Sequence, residues 1–106
     1  MKSYRLSRLA EQDRDDILTY TIDKFGTQQA LRLLNELEQA LFRLGKNPGI
    51  GYKREDILPE EDFVRFFTFL KRFVIIYEFD AESLVVLRIL HGSRDIEMVF
   101  KNQIPD

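Results

Sequence analysis

The clearest pattern in the chain is a stripe of apolar residues at Ala30, Leu33, Leu34, Leu37, Leu41 and Leu44. Their spacings of 3, 1, 3, 4 and 3 fall on one face of an α-helix. The stripe predicts a helix over about 28–45, with Thr27 as its N-cap. Upstream, Ser7 is suited to cap a first helix over about 8–24, and Glu11 and Asp13 place negative charge near its positive end. Ala10, Ile17 and Tyr20 form its inner stripe, with Leu18, Ile22 and Phe25 beside it. Gly26 is the expected stop, because glycine readily takes the left-handed conformation at a helix end. So short a link makes the two helices an antiparallel hairpin.

Residues 2–6 alternate and predict a short first strand. After the hairpin, Gly45-Lys46-Asn47-Pro48-Gly49-Ile50-Gly51 cannot stay helical and reads as a loop, polar and acidic as far as about Asp62. The composition then changes sharply. Of the 17 residues Phe63–Phe79, 12 are apolar and six are Phe. A break at Leu70-Lys71-Arg72 divides them into strands at about 63–69 and 73–79, and Asp80-Ala81-Glu82 turns the chain into a third strand, about 83–90. Sequential strands with short turns form an antiparallel meander. Ser93 is placed to cap a short last helix, Arg94 to about Lys101, with Ile96, Val99 and Phe100 inward. The expected architecture is α+β: one domain over 1–101, with a helical hairpin covering one face of an antiparallel sheet, and a loose C-terminal tail at 102–106.

The strands are unusual in being apolar on both faces. Phe73, Ile75, Tyr77 and Phe79 alternate with Val74 and Ile76; Leu84, Val86 and Leu90 oppose Val85, Leu87 and Ile89. A sheet with one wet face alternates apolar and polar residues. The hairpin covers one face, and the short last helix can cover part of the other. Two readings follow: a bent sheet that buries both faces itself, or an apolar groove left for a partner. Arg65 shares a face with Phe63, Phe67 and Phe69. It either stacks there and grips an anion, or pairs with an acid of the preceding loop.

At 106 residues the chain is one domain. It has no cysteine and one histidine, which excludes a disulfide scaffold, a thiolate nucleophile and Cys- or His-rich metal sites; no metal or cofactor is expected. No apolar run is long enough to span a membrane, and the first residues lack an apolar signal region, so a cytoplasmic protein is expected. Net charge is −2, with +1 in residues 1–50 and −3 in 51–106, which argues against strong direct nucleic-acid binding.

Candidate chemistry gathers at the end of the last strand, in Arg88, His91 and Arg94. A ribonuclease needs a base, an acid and cations for the phosphorane charge. His91 could be acid or base, and Arg65, Arg88 or Arg94 the cations, but the spacing is not diagnostic and a lone histidine at a strand end is commonly structural. The acids Asp13, Asp15 and Asp16 read as a solvated helix face. Asp13 is the exception, since it lies between Ala10 and Ile17 on the inner stripe and is placed to pair with a sheet arginine. Gly49 and Gly51 lack the strand-loop-helix context of a phosphate-binding loop.

The run Tyr4-Arg5-Leu6-Ser7, followed by Ala10-Glu11-Gln12-Asp13, resembles the start of the ParE toxins of the RelE/ParE superfamily. So do Ile17-Leu18-Thr19-Tyr20-Thr21, Phe25-Gly26, Gln29-Ala30, Leu37-Glu38 and Asn47-Pro48-Gly49-Ile50-Gly51. Val74-Ile75-Ile76-Tyr77 and the ending Arg88-Ile89-Leu90-His91-Gly92-Ser93-Arg94-Asp95-Ile96 match as well, so the resemblance covers nearly the whole chain. It implies a RelE/ParE-like fold and the toxin of a type II toxin-antitoxin module. The toxin would poison DNA gyrase by binding, without catalysis, and would form a hetero-oligomer with a ParD-like antitoxin that wraps it. Arg88, His91 and Arg94 are then the target-binding candidates. Phe63, Arg65, Phe67, Phe69, Phe73, Ile75 and Tyr77 are the antitoxin-binding candidates. The RelE branch shares the fold but cleaves messenger RNA on the ribosome, and under that alternative His91, Arg65 and Arg88 would be catalytic. Gly92 stands where those relatives often carry Tyr, and the chain is acidic; both count against a nuclease. A third alternative is a non-toxic co-repressor partner of its antitoxin. The chain departs from ordinary ParE sequences in its acidic 52–63 loop and in the Phe-rich strand after it.

Overall fold

The computed structural model describes residues 3–57, 63–92, 96, 98 and 99. Strand β1 (Ser3–Leu6) leads into helix α1 (Arg8–Phe25) and helix α2 (Thr27–Lys46). A 3-10 turn at Pro48–Ile50 and a loop follow, then β2 (Val64–Phe69), β3 (Phe73–Phe79) and β4 (Ser83–His91). The strands form one sheet in the order β1-β4-β3-β2. β2, β3 and β4 are the antiparallel meander, and β1 joins parallel to β4. Gly92, Ile96, Met98 and Val99 are helical. Ser93, Arg94, Phe100 and the 102–106 tail lie outside the described residues.

Ser7 fixes the start of α1. Its hydroxyl accepts from the Ala10 N–H at 3.0 Å and donates to the Leu87 carbonyl at 2.8 Å, while its own N–H reaches the Val86 carbonyl at 2.9 Å. The helix N-cap is thereby tied to the central strand. At the hairpin, Gly26 has φ +92° and is the capping residue of both helices. Thr27 is therefore not the N-cap but the first residue of α2, because one left-handed glycine completes the turn. The second helix ends at Lys46, one residue past the expected boundary, so Gly45 and Lys46 are not loop. Gly45 is helical and buried beside fully buried Leu44, and Pro48, which lacks an N–H, stands just past its end.

The inner line of α1 differs from the expected stripe. Tyr20, Ile22 and Phe25 are 58%, 46% and 66% exposed. The line that faces the sheet is Ala10, Asp13, Ile17 and Thr21, with the Thr21 hydroxyl satisfied by the Ile17 carbonyl at 2.8 Å. So narrow a line is enough because α2 carries most of the hairpin's apolar contact, through Leu33, Leu37, Ala40, Leu41 and Leu44.

Both sheet faces are covered. The hairpin packs on Phe69, Phe73, Ile75, Tyr77, Leu84, Val86 and Ile89. The opposite face gathers Val64, Phe66, Val74, Ile76 and Leu90 beneath Ile57, Ile96 and Val99. A register shift between β3 and β4 corrects the expected grouping. Ile76 pairs with Arg88 but Tyr77 pairs with Val86, so Leu87 is an extra residue. Beyond this bulge the alternation is inverted: Ile89, not Leu90, joins Leu84 and Val86 under the hairpin.

Candidate partner-binding groove

A groove of about 640 Å³ opens where the hairpin tip overhangs the β2–β3 turn and the end of β4. Ile17, Tyr20, Thr21 and Phe25 of α1 and Leu33 of α2 meet Leu70 and Phe73 in it, and Asp16, Gln29, Arg32, Arg72 and His91 are its polar lining. The turn that supplies one wall is itself constrained. Leu70 and Lys71 both adopt left-handed conformations, at φ 52° and 64°, although neither is glycine. Such residues cost roughly 1 kcal/mol each, and Leu70 repays part of this by packing on the core. Phe73 anchors the floor: Phe69 stacks on it at 5.4 Å, Arg72 lies over its ring at 5.5 Å, and His91 meets it edge-on at 5.1 Å.

The expected site residues are distributed around this groove and away from it. His91 lines it, exposed at its side. Arg88 does not. Its Nε and Nη2 donate to the two Asp13 carboxylate oxygens at 2.7 and 2.9 Å, and the same carboxylate accepts the Ile89 N–H at 3.0 Å. Those hydrogen bonds raise the Arg88 pKa above its ordinary value. The pairing of Asp13 with a sheet arginine is thus present, and it commits Arg88 to holding α1 on β4. Arg65 stands over Phe79 at 5.7 Å. It pairs across β3 with Tyr77, whereas His91 pairs with Phe73. Four residues along a strand separate them by about 13 Å, before the added width of two strand spacings. Arg65, Arg88 and His91 therefore do not converge on one reacting atom.

Among the expected antitoxin-contacting residues, Phe69, Phe73, Ile75 and Tyr77 are buried beneath the hairpin, at 7%, 5%, 0% and 0% exposure. As outward contacts Phe69, Ile75 and Tyr77 are corrected, since they belong to the face that the helices occupy, whereas Phe73 also reaches the groove floor. Phe63 is exposed, and Phe67 is half-buried under Arg43 at 5.4 Å. The residues that sequence reasoning missed are Tyr20, Phe25, Arg32 and Arg72. The available signal was that Tyr20 and Phe25 widen the α1 stripe beyond what a single buried line needs.

Tyr77 has a structural duty. Its buried hydroxyl accepts the Gly51 N–H at 3.0 Å and donates to the Pro48 carbonyl at 2.5 Å, and burial raises its pKa. The Asn47–Gly51 loop is thereby pinned to the sheet, and Tyr52 continues it by exchanging two 2.8 Å backbone bonds with Phe66 at the β2 edge. Among the described residues, no group of three or more His, Cys, Asp or Glu is arranged to hold a metal ion, and no helix is long and apolar enough to cross a membrane.

The model of the ParE toxin of the type II toxin-antitoxin system parDE matches residues 4–96 of this chain. Toxin ParE1 of Caulobacter vibrioides is 40% identical over 57 residues, a match that spans 54% of this chain and 59% of that protein. Toxin ParE1 of Mycobacterium tuberculosis is 30% identical over 95 residues, covering 89% of this chain and 93% of its own length. A solved structure of the chromosomal ParDE TA system from P. aeruginosa superposes with a TM-score of 0.71 at 22% identity, over 88% of this chain and 98% of the other, and shares the fold.

Proposed function

The chain belongs to the ParE toxin family of type II toxin-antitoxin systems, and from that premise we propose that it arrests growth by binding DNA gyrase and is neutralised by a ParD-like antitoxin. On this reading it acts in the cytoplasm, as a hetero-oligomer until the antitoxin is lost, and it is not an enzyme. The observation that carries the choice of binding over RNA cleavage is the commitment of Arg88 to Asp13, together with the separation of Arg65 from His91. A phosphorane needs cations and a proton donor around one phosphorus. These three side chains do not supply that. The net charge of −2 also gives little of the phosphate neutralisation on which docking to ribosomal RNA depends. His91 and, outside the described residues, Arg94 are the proposed contacts with the target.

Purified toxin added to gyrase should inhibit supercoiling or trap cleaved DNA, while messenger RNA on translating ribosomes stays intact. His91→Ala should leave growth arrest largely in place, because a binding toxin loses only that side chain's share of the interface. A true general acid or base would cost about 10²–10⁴ in rate. Codon-positioned cleavage on ribosomes that disappears in His91→Ala would replace this reading with the RelE-like one. Induction of the toxin alone without growth arrest would favour the co-repressor reading.

A further inference from the structure

We propose that the outer face of α2 pairs with the same face of a second copy of this chain, about a two-fold axis at Phe42. Glu38, Phe42 and Lys46 form the seam.

The three residues stand four apart, so they make one row along the helix. All three are exposed, and Phe42 leaves 48% of its surface in water. The buried stripe of α2 is Leu33, Leu37, Ala40, Leu41 and Leu44, and Phe42 lies off it. A cleft of about 370 Å³ opens beside the ring, lined by Glu38, Gln39, Phe42 and Arg43, and has room for a second phenyl group.

The charges identify what covers this face. Lys46 holds its ammonium 4.6 Å from the centre of the Phe42 ring, and Glu38 lies on the other side of Phe42 in the row. Eight residues rise about 12 Å along a helix, too far for these two to pair within one chain. Neither forms an ion pair with a described residue. The row is therefore acid, ring and base at equal spacing. An acidic partner would be repelled at Glu38 and a basic one at Lys46, whereas the same row reversed is complementary throughout. When two copies of α2 lie antiparallel at Phe42, ring meets ring in the cleft and Glu38 faces Lys46 of the second copy, twice by symmetry. Arg43, held over Phe67 at 5.4 Å, adds another cation for that carboxylate. The seam uses none of the residues that line the groove at the hairpin tip. One ring pair and two ion pairs make an interface at the small end of specific contacts, below about 1,200 Å², so the dimer is a concentration-dependent state of the chain.

Sedimentation velocity on the purified full chain, between about 1 µM and about 1 mM, should show a monomer–dimer equilibrium. Phe42→Ala, Glu38→Lys and Lys46→Glu should each weaken the dimer at least about 10-fold. All three positions are exposed, so the variants should melt with the wild type. If Lys46→Glu does not, because it puts an acid at a helix C-terminus, Lys46→Gln takes its place. The sharper measurement mixes the two charge variants. Glu38→Lys carries a base at both ends of the row and Lys46→Glu an acid at both, so each repels itself and the mixture should pair more tightly than either alone. A mixture no tighter than its components overturns the antiparallel pairing. A wild-type chain that stays monomeric throughout the range, or a dimer that none of the variants weakens, overturns the proposal. So do seam variants that leave self-association unchanged and instead lose binding of the antitoxin or of a single-stranded oligonucleotide, which would assign the face to that partner. The inference does not rest on the gyrase reading, and each of these results leaves that reading standing.

Discussion

Asp13→Ala should be among the most destabilising single changes available on the hairpin surface. The Asp13 and Arg88 side chains are 13% and 16% exposed, and the carboxylate satisfies the Ile89 N–H as well as the guanidinium. Breaking a fully buried pair by removing one partner costs about 3–5 kcal/mol, because the remaining charge is uncompensated. The residual solvent contact reduces that figure, and the orphaned N–H adds about 1–3 kcal/mol where water cannot reach it. A net loss of about 3 kcal/mol is expected, a large part of a total stability of about 5–15 kcal/mol. For a domain of this size that lowers Tm by about 10–25 °C. Asp13→Asn, which keeps an acceptor for Ile89, should lose about half as much. The decisive experiment is a urea-denaturation double-mutant cycle with Arg88→Met. Removing both partners should cost less than the sum of the single losses, by at least about 1 kcal/mol. Additive losses, or an Asp13→Ala protein within about 0.5 kcal/mol of wild type, would refute the claim that this pair holds α1 to β4. The same cycle isolates function: if the double variant folds and still arrests growth, the Arg88 guanidinium is not a target contact.

Four further outcomes follow from the packing. Leu37→Asp should leave no cooperative melting transition, because it places a charge at a 2% exposed position costing several kcal/mol; a soluble, cooperatively folding protein would show that α2 does not face the sheet. Gly51→Ala should lower Tm, since its Cβ would strike the Tyr77 hydroxyl and come within 2.8 Å of the Phe66 carbonyl oxygen. Tyr77→Phe should lose about 1–3 kcal/mol by orphaning the Gly51 N–H and the Pro48 carbonyl, and the two changes together should be less than additive in thermal melts. Lys71→Gly should raise stability by up to about 1 kcal/mol through relief of its positive φ, and an unchanged or lower denaturation midpoint would contradict the strain assigned to the turn.

Helix and strand positions were legible because periodicity is a local signal. Ala30 to Leu44 can bury together only as a helix, and the Phe-rich run only as strands. The features that escaped depend on residues far apart in sequence. Whether Leu90 or Ile89 faces the hairpin is decided by one extra residue at Leu87, which is visible only in the pairing of β4 with β3. The burial of Ile75 and Tyr77 was ambiguous for a related reason. When both faces of a strand are apolar, alternation tells which residues share a face but not which face the helices cover. Asp13 was the informative exception. A carboxylate on an inward line requires a partner, and the double-apolar sheet offered few cations to supply one. The groove escaped because Tyr20, Arg32 and Arg72 come from three elements whose spacing in sequence carries no common period.

The placement of the groove follows from how the hairpin is fastened. Among the described residues, the polar ties given between α1 and the sheet lie in its first half: Ser7 to Val86 and Leu87, and Asp13 to Arg88 and Ile89. On α2 the fully buried contacts lie towards its end, at Leu37 and Leu44, and the loop after it is pinned through Tyr77. Because the helices are antiparallel, the start of α1 and the end of α2 lie at the same end of the hairpin. The tip, from Tyr20 through Gly26 to Arg32, meets the sheet through apolar contacts such as Leu33, and Tyr20, Ile22, Phe25 and Leu31 stay largely in water. Among the described residues, the hydrogen bonds between α1 and the sheet gather at one end of the hairpin, whereas exposed apolar side chains occur at both ends, with Leu9 and Phe42 at the fastened one and Tyr20 and Phe25 at the tip.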